Sequence, residues 1–155
     1  MVREFGSTIG PNGWGKRRQE DGRTPTGVYR IKVTFSTTPE NPGTMPWRRR
    51  LPTSTVTDEP GPLYNTWIEE PGRTDGARPS MRSGFVVDYN NVRLHAGRGP
   101  VPVPDAGSGI FYHTSRPRHR WEPSDGCTRL QDPSDMLWLL RWLRPEAHPR
   151  VVQNL

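Results

Sequence analysis

The sequence predicts a mostly β fold with one clear helix near its C-terminus. Three observations point there. β-forming runs recur along the chain, the clearest with strict apolar/polar alternation. Turn formers punctuate them, with 18 Pro and 16 Gly among 155 residues, about a fifth of the chain. Only 133–144 carries apolar residues at helical spacing. The length fits a single domain over 1–155 without a second core. The apolar fraction is 30%, yet six Trp, four Tyr and four Phe supply the bulk that a small core needs. No transmembrane segment is expected, because the longest apolar run, Met136 to Leu143, is short and contains Arg141.

Residues 1–27 read as an irregular lead-in with a turn at Asp21-Gly22. Gly27 opens the clearest strand, in which Tyr29, Ile31, Val33 and Phe35 alternate with Arg30, Lys32 and Thr34 to form one buried face. Residues 36–62 read as a long Pro-punctuated loop in which Arg48-Arg49-Arg50 is solvated, a specific anion site being the alternative reading of that run. Leu63–Ile68 is a short aromatic strand, and Pro71–Ser80 a polar loop. Gly84–Tyr89 is a further strand, paired with Val92–His95 across Asn90-Asn91, a dipeptide that tolerates the left-handed conformation. After a Pro- and Gly-rich stretch, Ser108–Thr114 is a strand and 115–126 a basic loop. Asp132 is a good N-cap for the helix, Pro133 suits its first position, and Pro145 stops it. Met136, Leu137, Leu139, Leu140 and Leu143 bury most of its surface, and Val151-Val152 adds a last strand.

The formal net charge is +6, and of 22 basic residues only Lys16 and Lys32 are lysines. Net charge speaks to association and solubility rather than to reaction. Basic residues interleave with aromatics from Arg116 to Trp121, but elsewhere they are scattered and form no nucleic-acid motif, so nucleic acid is not an expected partner. The single cysteine, Cys127, excludes an internal disulfide and any multi-cysteine zinc site, leaving a buried filler, an accident or a nucleophile. No apolar segment of the signal-peptide kind follows Met1, so the protein stays inside the cell or is a trimmed form of a longer chain.

A cysteine nucleophile needs a base, donors for a developing oxyanion, and access to substrate. In Ser124-Asp125-Gly126-Cys127-Thr128-Arg129, Gly126 permits close backbone approach and lets the amides of Gly126 and Cys127 converge. If extended, the segment puts Asp125, Cys127 and Arg129 on one face. There Arg129 favours the thiolate or grips a substrate carboxylate, while Asp125 opposes ionisation unless Arg129 pairs with it. Of the four histidines, His148 sits in a solvated tail and His119 in the basic loop; His95 follows a short strand as a possible pocket wall. His113 ends a strand that would hold it rigidly. Pattern alone thus leaves Cys127 with His113 open against a structural thiol.

The run Gly107-Ser108-Gly109-Ile110-Phe111-Tyr112-His113, a basic loop, then Ser124-Asp125-Gly126-Cys127-Thr128-Arg129-Leu130 resembles the L,D-transpeptidase (YkuD-type) catalytic domain. Asp21-Gly22-Arg23-Thr24-Pro25-Thr26-Gly27 is similar to that family's approach to its first main strand. Thr57-Asp58-Glu59-Pro60 with Tyr64-Asn65 fits one of its branches, as does the Leu-rich helix after the cysteine. The resemblance covers roughly 13–153. It implies a curved β-sandwich with Cys127 as nucleophile, His113 as base, and an oxyanion site around Gly126 and Cys127. Ser124, Asp125, Arg129 and Thr114 would shape the pocket, with Tyr64, Trp67, His95 and Tyr112 as weaker groove residues and core packing the stronger reading of Trp67. The implied substrates are peptidoglycan stem peptides outside the cytoplasm, cut before a terminal D-Ala and passed to an amine, with no metal or cofactor. Hydrolysis of the same acyl-enzyme, or an inactive wall-binding module, is the alternative. Oligomeric state is left open.

Overall fold

The computed structural model describes residues 2–155. Its backbone is one main sheet with a single α-helix packed against it. In chain order the strands are β1 (Ser7–Thr8), β2 (Gly27–Ser36), β3 (Trp47–Arg49), β4 (Ser54–Val56), β5 (Trp67–Glu69), β6 (Ser83–Val87), β7 (Phe111–Thr114) and β8 (Thr128–Leu130). The helix α1 (Pro133–Trp142) follows, and β9 (Arg150–Gln153) ends the order. The main sheet runs β1-β8-β7-β6-β2-β3, with β9 against β2, and β4 pairs with β5 as a separate ribbon. Most pairings are antiparallel; β7–β8 and β2–β3 are parallel. No helix among the described residues is long and apolar enough to cross a membrane. The molecule is mostly β with a single helix, as the sequence predicts.

The main strand departs from simple alternation. A bulge between Ile31 and Val33 shifts the register of β2 against β6, and an extra residue reverses which face follows. Tyr29 and Ile31 therefore pack with the first core cluster, whereas Val33 and Phe35 pack with the second. The two halves of β2 also have different partners, β9 for Gly27–Arg30 and β6 beyond it.

The first cluster lies between the sheet and α1, with Phe85, Val87, Ile110 and Leu130 meeting Met136, Leu140 and Leu143. Those three buried positions follow the i, i+4, i+7 spacing of one helix face, while Leu137 and Leu139 are only half-buried. Asp132 caps the helix by accepting from Ser134 N–H at 2.8 Å. The second cluster lies on the opposite face, where Val33, Phe35, Trp67, Met81, Val86 and Phe111 are buried and Cys127 packs against them.

Three readings of the loops are corrected. Residues 36–62 contain β3 and β4, and Arg50 is buried rather than solvated. Ser7–Thr8 in the lead-in form an edge strand on β8. Val92–His95 does not pair with β6. Asn90 and Asn91 do take left-handed conformations, but Asn90 turns its side chain to Val103 and Gly107, sending the chain away from the sheet, where Arg93 bridges Thr66 instead.

Candidate active site

Parallel pairing of β7 and β8 sets His113 opposite Arg129. Side chains alternate along a strand, so Phe111 and His113 leave β7 on one face, and Cys127 and Arg129 follow the same rule. Cys127, just before β8, accepts from Phe111 N–H at Sγ and donates to the Gly109 carbonyl, both at 3.3 Å. The preceding loop fixes its approach. Ser124 Oγ donates to the Cys127 carbonyl and accepts from Gly126 N–H at 3.0 Å. Gly126 sits at φ +141°, and a Cβ there would lie 2.8 Å from the Arg23 carbonyl, so any other residue is strained and crowded.

His113 is 4% exposed. Its Nδ1 lies 2.9 Å from the Thr114 carbonyl and 3.0 Å from the Ser80 carbonyl. Carbonyls only accept, so Nδ1 carries the proton and Nε2 the lone pair. Thr114 Oγ1 donates to the same Ser80 carbonyl at 3.2 Å, tying the turn at Pro79–Met81 to β7. Burial, with the Arg129 charge beside it, pushes the imidazole down to about 4. Burial pushes the Cys127 thiol up, against the opposing pull of Phe111 N–H and Arg129. At neutral pH the site therefore holds a thiol and a neutral imidazole rather than an ion pair. Alkylation of Cys127 by iodoacetamide should accordingly keep climbing above about pH 9, and a plateau reached below neutral pH would contradict this picture.

Cys127, His113, Arg129, Ser124 and Asp125 share a cleft of about 330 Å³. A second cleft, of about 560 Å³, reaches Cys127 past Lys16, Gly22 and Asp58. Asp125 is exposed and borders both clefts. It forms no ion pair with Arg129, whose Nη1 instead donates to the Glu122 carbonyl at 3.3 Å. The expected convergence of two amides is also corrected, since Gly126 N–H is committed to Ser124 Oγ.

The weaker groove residues lie elsewhere. Tyr112 points to the opposite face and stacks on Phe85 at 4.8 Å, because it alternates with Phe111 and His113. Trp67 is 2% exposed in the second cluster. His95 is exposed and borders none of these clefts. Tyr64 is buried and lines a neighbouring groove of about 780 Å³, where its hydroxyl donates to Gln19 Oε1 at 2.8 Å and accepts from Gly107 N–H at 2.9 Å.

Sequence reasoning missed Lys16 and the Ser80 carbonyl, and it favoured a solvated position for Arg50, which is buried. The Lys16 side chain is only 2% exposed and bonds Asp21 Oδ1 at 2.9 Å, and its Nζ lies 3.4 Å from where a Cβ on Gly126 would sit. Burial alone would raise the Asp21 carboxyl. The backbone N–H groups of Arg17, Arg18 and Arg23 and the Lys16 ammonium outweigh it and hold the carboxyl well below its usual range. Arg50 Nε donates to the Gly76 carbonyl at 2.5 Å. A Cβ on Gly76 would meet the carbonyls of Ser54, Leu51 and Pro52 at 2.4–2.6 Å. Gly76→Ala should therefore destabilise the fold by about 1–3 kcal/mol in urea unfolding; an unchanged midpoint would show that this loop gives way freely.

No curated protein matches the chain, and no solved structure does. One family model matches, that of the L,D-transpeptidase catalytic domain (YkuD), over residues 1–152. Because that match takes in β1 through most of β9, with the cleft around Cys127 inside it, the chain belongs to the YkuD L,D-transpeptidase catalytic-domain family.

Proposed function

We propose that the protein is a peptidoglycan L,D-transpeptidase that works through Cys127 and His113. The observation carrying this reading is the pinned tautomer of His113. With Nδ1–H held by two carbonyls, Nε2 is left as the acceptor, in the cleft that also holds the only thiol. In the proposed cycle Nε2 takes the Cys127 proton as Sγ attacks the carbonyl before the terminal D-Ala of a stem tetrapeptide. The backbone N–H of Cys127 faces the developing oxyanion. The imidazolium returns its proton to the departing D-Ala nitrogen, and a thioester remains. An amine from a second stem attacks that thioester, Nε2 takes the amine proton and passes it to Sγ, and Sγ leaves as the thiol.

Burial keeps the imidazole neutral, so Nε2 is unprotonated at neutral pH. The second cleft gives the thioester a face that the donor need not occupy. The same reading places the protein at the cell wall, outside the cytoplasm. The test is incubation with a purified stem tetrapeptide, with and without an amine acceptor. Cross-linked product supports transfer. Tripeptide alone, at equal rate with and without acceptor, would make the enzyme an L,D-carboxypeptidase, and no product of either kind would favour an inactive wall-binding module.

A further inference from the structure

Arg50 is a buried cation without a contacting counter-ion. It is 6% exposed, and its guanidinium carbon lies 5.1–5.5 Å from the ring centroids of Phe35, Trp67 and Phe111. Nε and Nη2 donate to the carbonyls of Gly76 and Ser54, at 2.5 and 3.4 Å, and Nη1 has no partner. Burial and the nearby charge of Arg78 pull the group down to about 10, so it stays protonated at neutral pH. Buried charges are ordinarily paired, because desolvation is costly without an opposite charge. Aromatic faces, two carbonyls and the charge of Glu69 at longer range offset part of that cost, but no carboxylate contacts the guanidinium.

The cleft above Arg50 is polarised. Arg50, Arg73, Arg78 and Arg129 line only the 330 Å³ cleft, whereas Asp58, Glu59 and Asp125 also border the neighbouring ones. The acids on the arginine side, Glu70 and Asp75, are both engaged by Arg73, at 2.7 and 2.8 Å. Arg78 reaches Asp75 only at 3.9 Å and is 56% exposed, and Arg129 Nε has no hydrogen-bond partner. Positive charge is thus in excess on one side of Cys127.

We infer that Arg50, Arg78 and Arg129 form a carboxylate subsite that selects acyl donors carrying a free carboxylate near the scissile bond. This rests on the transpeptidase reading for the identity of the donor, but not for the subsite itself. Arg50 supplies the buried field, and Arg78 and Arg129 supply donors nearer the surface. Two carboxylates of a stem peptide have the right chemistry, that of the leaving D-Ala and the side-chain carboxylate of a diamino diacid at the third position.

The test uses the single thiol. Cys127 is alkylated with N-iodoacetyl-D-alanine and with its carboxamide, in the parent, Arg50→Gln and Arg78→Gln proteins, and the acid-to-amide rate ratio is read. A general disturbance of the thiol moves both rates together, whereas loss of the subsite moves the ratio. The parent is expected to favour the acid by roughly tenfold or more, and Arg50→Gln to bring the ratio near one. Arg78→Gln, at an exposed position, keeps the test valid if Arg50→Gln fails to fold, and should lower the ratio in the same direction. Tetrapeptide donors ending in D-alaninamide, or with Lys in place of the diamino diacid, form the second arm. The donor on which Arg50→Gln no longer matters identifies the carboxylate. A ratio equal in all three proteins, with turnover indifferent to Arg50 and Arg78, overturns the subsite and leaves the transpeptidase reading intact. A charge-dependent ratio without turnover of any donor does the reverse.

Discussion

Cys127→Ala is expected to leave a folded protein that releases no measurable D-Ala from a tetrapeptide donor, a loss of about 10⁴-fold or more. No second thiol exists to take over. The hydrogen bonds of Sγ, to Phe111 N–H and the Gly109 carbonyl, lie just ahead of the first paired residues of β7 and β8 rather than within their ladder. Their loss should therefore cost little stability, of the order of 1 kcal/mol. The check is D-Ala release together with urea unfolding. Residual turnover within tenfold of the parent would exclude covalent catalysis through this residue.

His113→Asn should lower turnover by about 10²- to 10⁴-fold. Asparagine can place an N–H close to the position of Nδ1 and so retain the bonds to Ser80 and Thr114, but it has no group at Nε2. It separates proton transfer from support of the turn at Pro79–Met81, which Ala would disturb as well. The pH dependence of the parent gives an independent sign. The imidazole is near 6.5 in the unfolded chain and pushed down to about 4 by burial in the folded one. Acid therefore protonates the unfolded chain first. Stability contributed by the neutral ring is complete above about pH 6.5 and declines as pH falls towards 4. His113→Asn should flatten that part of the stability profile. A variant that keeps both parental turnover and the parental acid slope would remove His113 from the account.

The sequence was legible wherever local chemistry dictates the outcome. Asp132-Pro133 and Pro145 bracket the helix, and α1 stops only two residues before the expected end. Ser124-Asp125-Gly126-Cys127 and His113 are recognisable because each needs its residue type, and the sheet brings both to one cleft. What was not legible depends on distant partners. Arg50 belongs to a run of three arginines and looks solvated, yet rings from β2, β5 and β7 enclose it. The break in alternation at Ile31 falls where β2 changes partners along its length, and those partners lie far away in sequence. Tyr112 and Trp67 are aromatic residues near the motifs, and strand parity sends them into the core. Lys16 lies far from Cys127 in sequence. Only the turn built on Asp21, whose carboxylate gathers three backbone N–H groups, carries it to Gly126.

The most direct test of the central claim is the intact mass of the protein quenched in acid during turnover of a stem tetrapeptide. The account predicts one adduct equal to the donor minus D-Ala, present on the parent, removed by hydroxylamine as a thioester is, and missing from Cys127→Ala. Release of D-Ala without any adduct, or an adduct that survives Cys127→Ala, would contradict it.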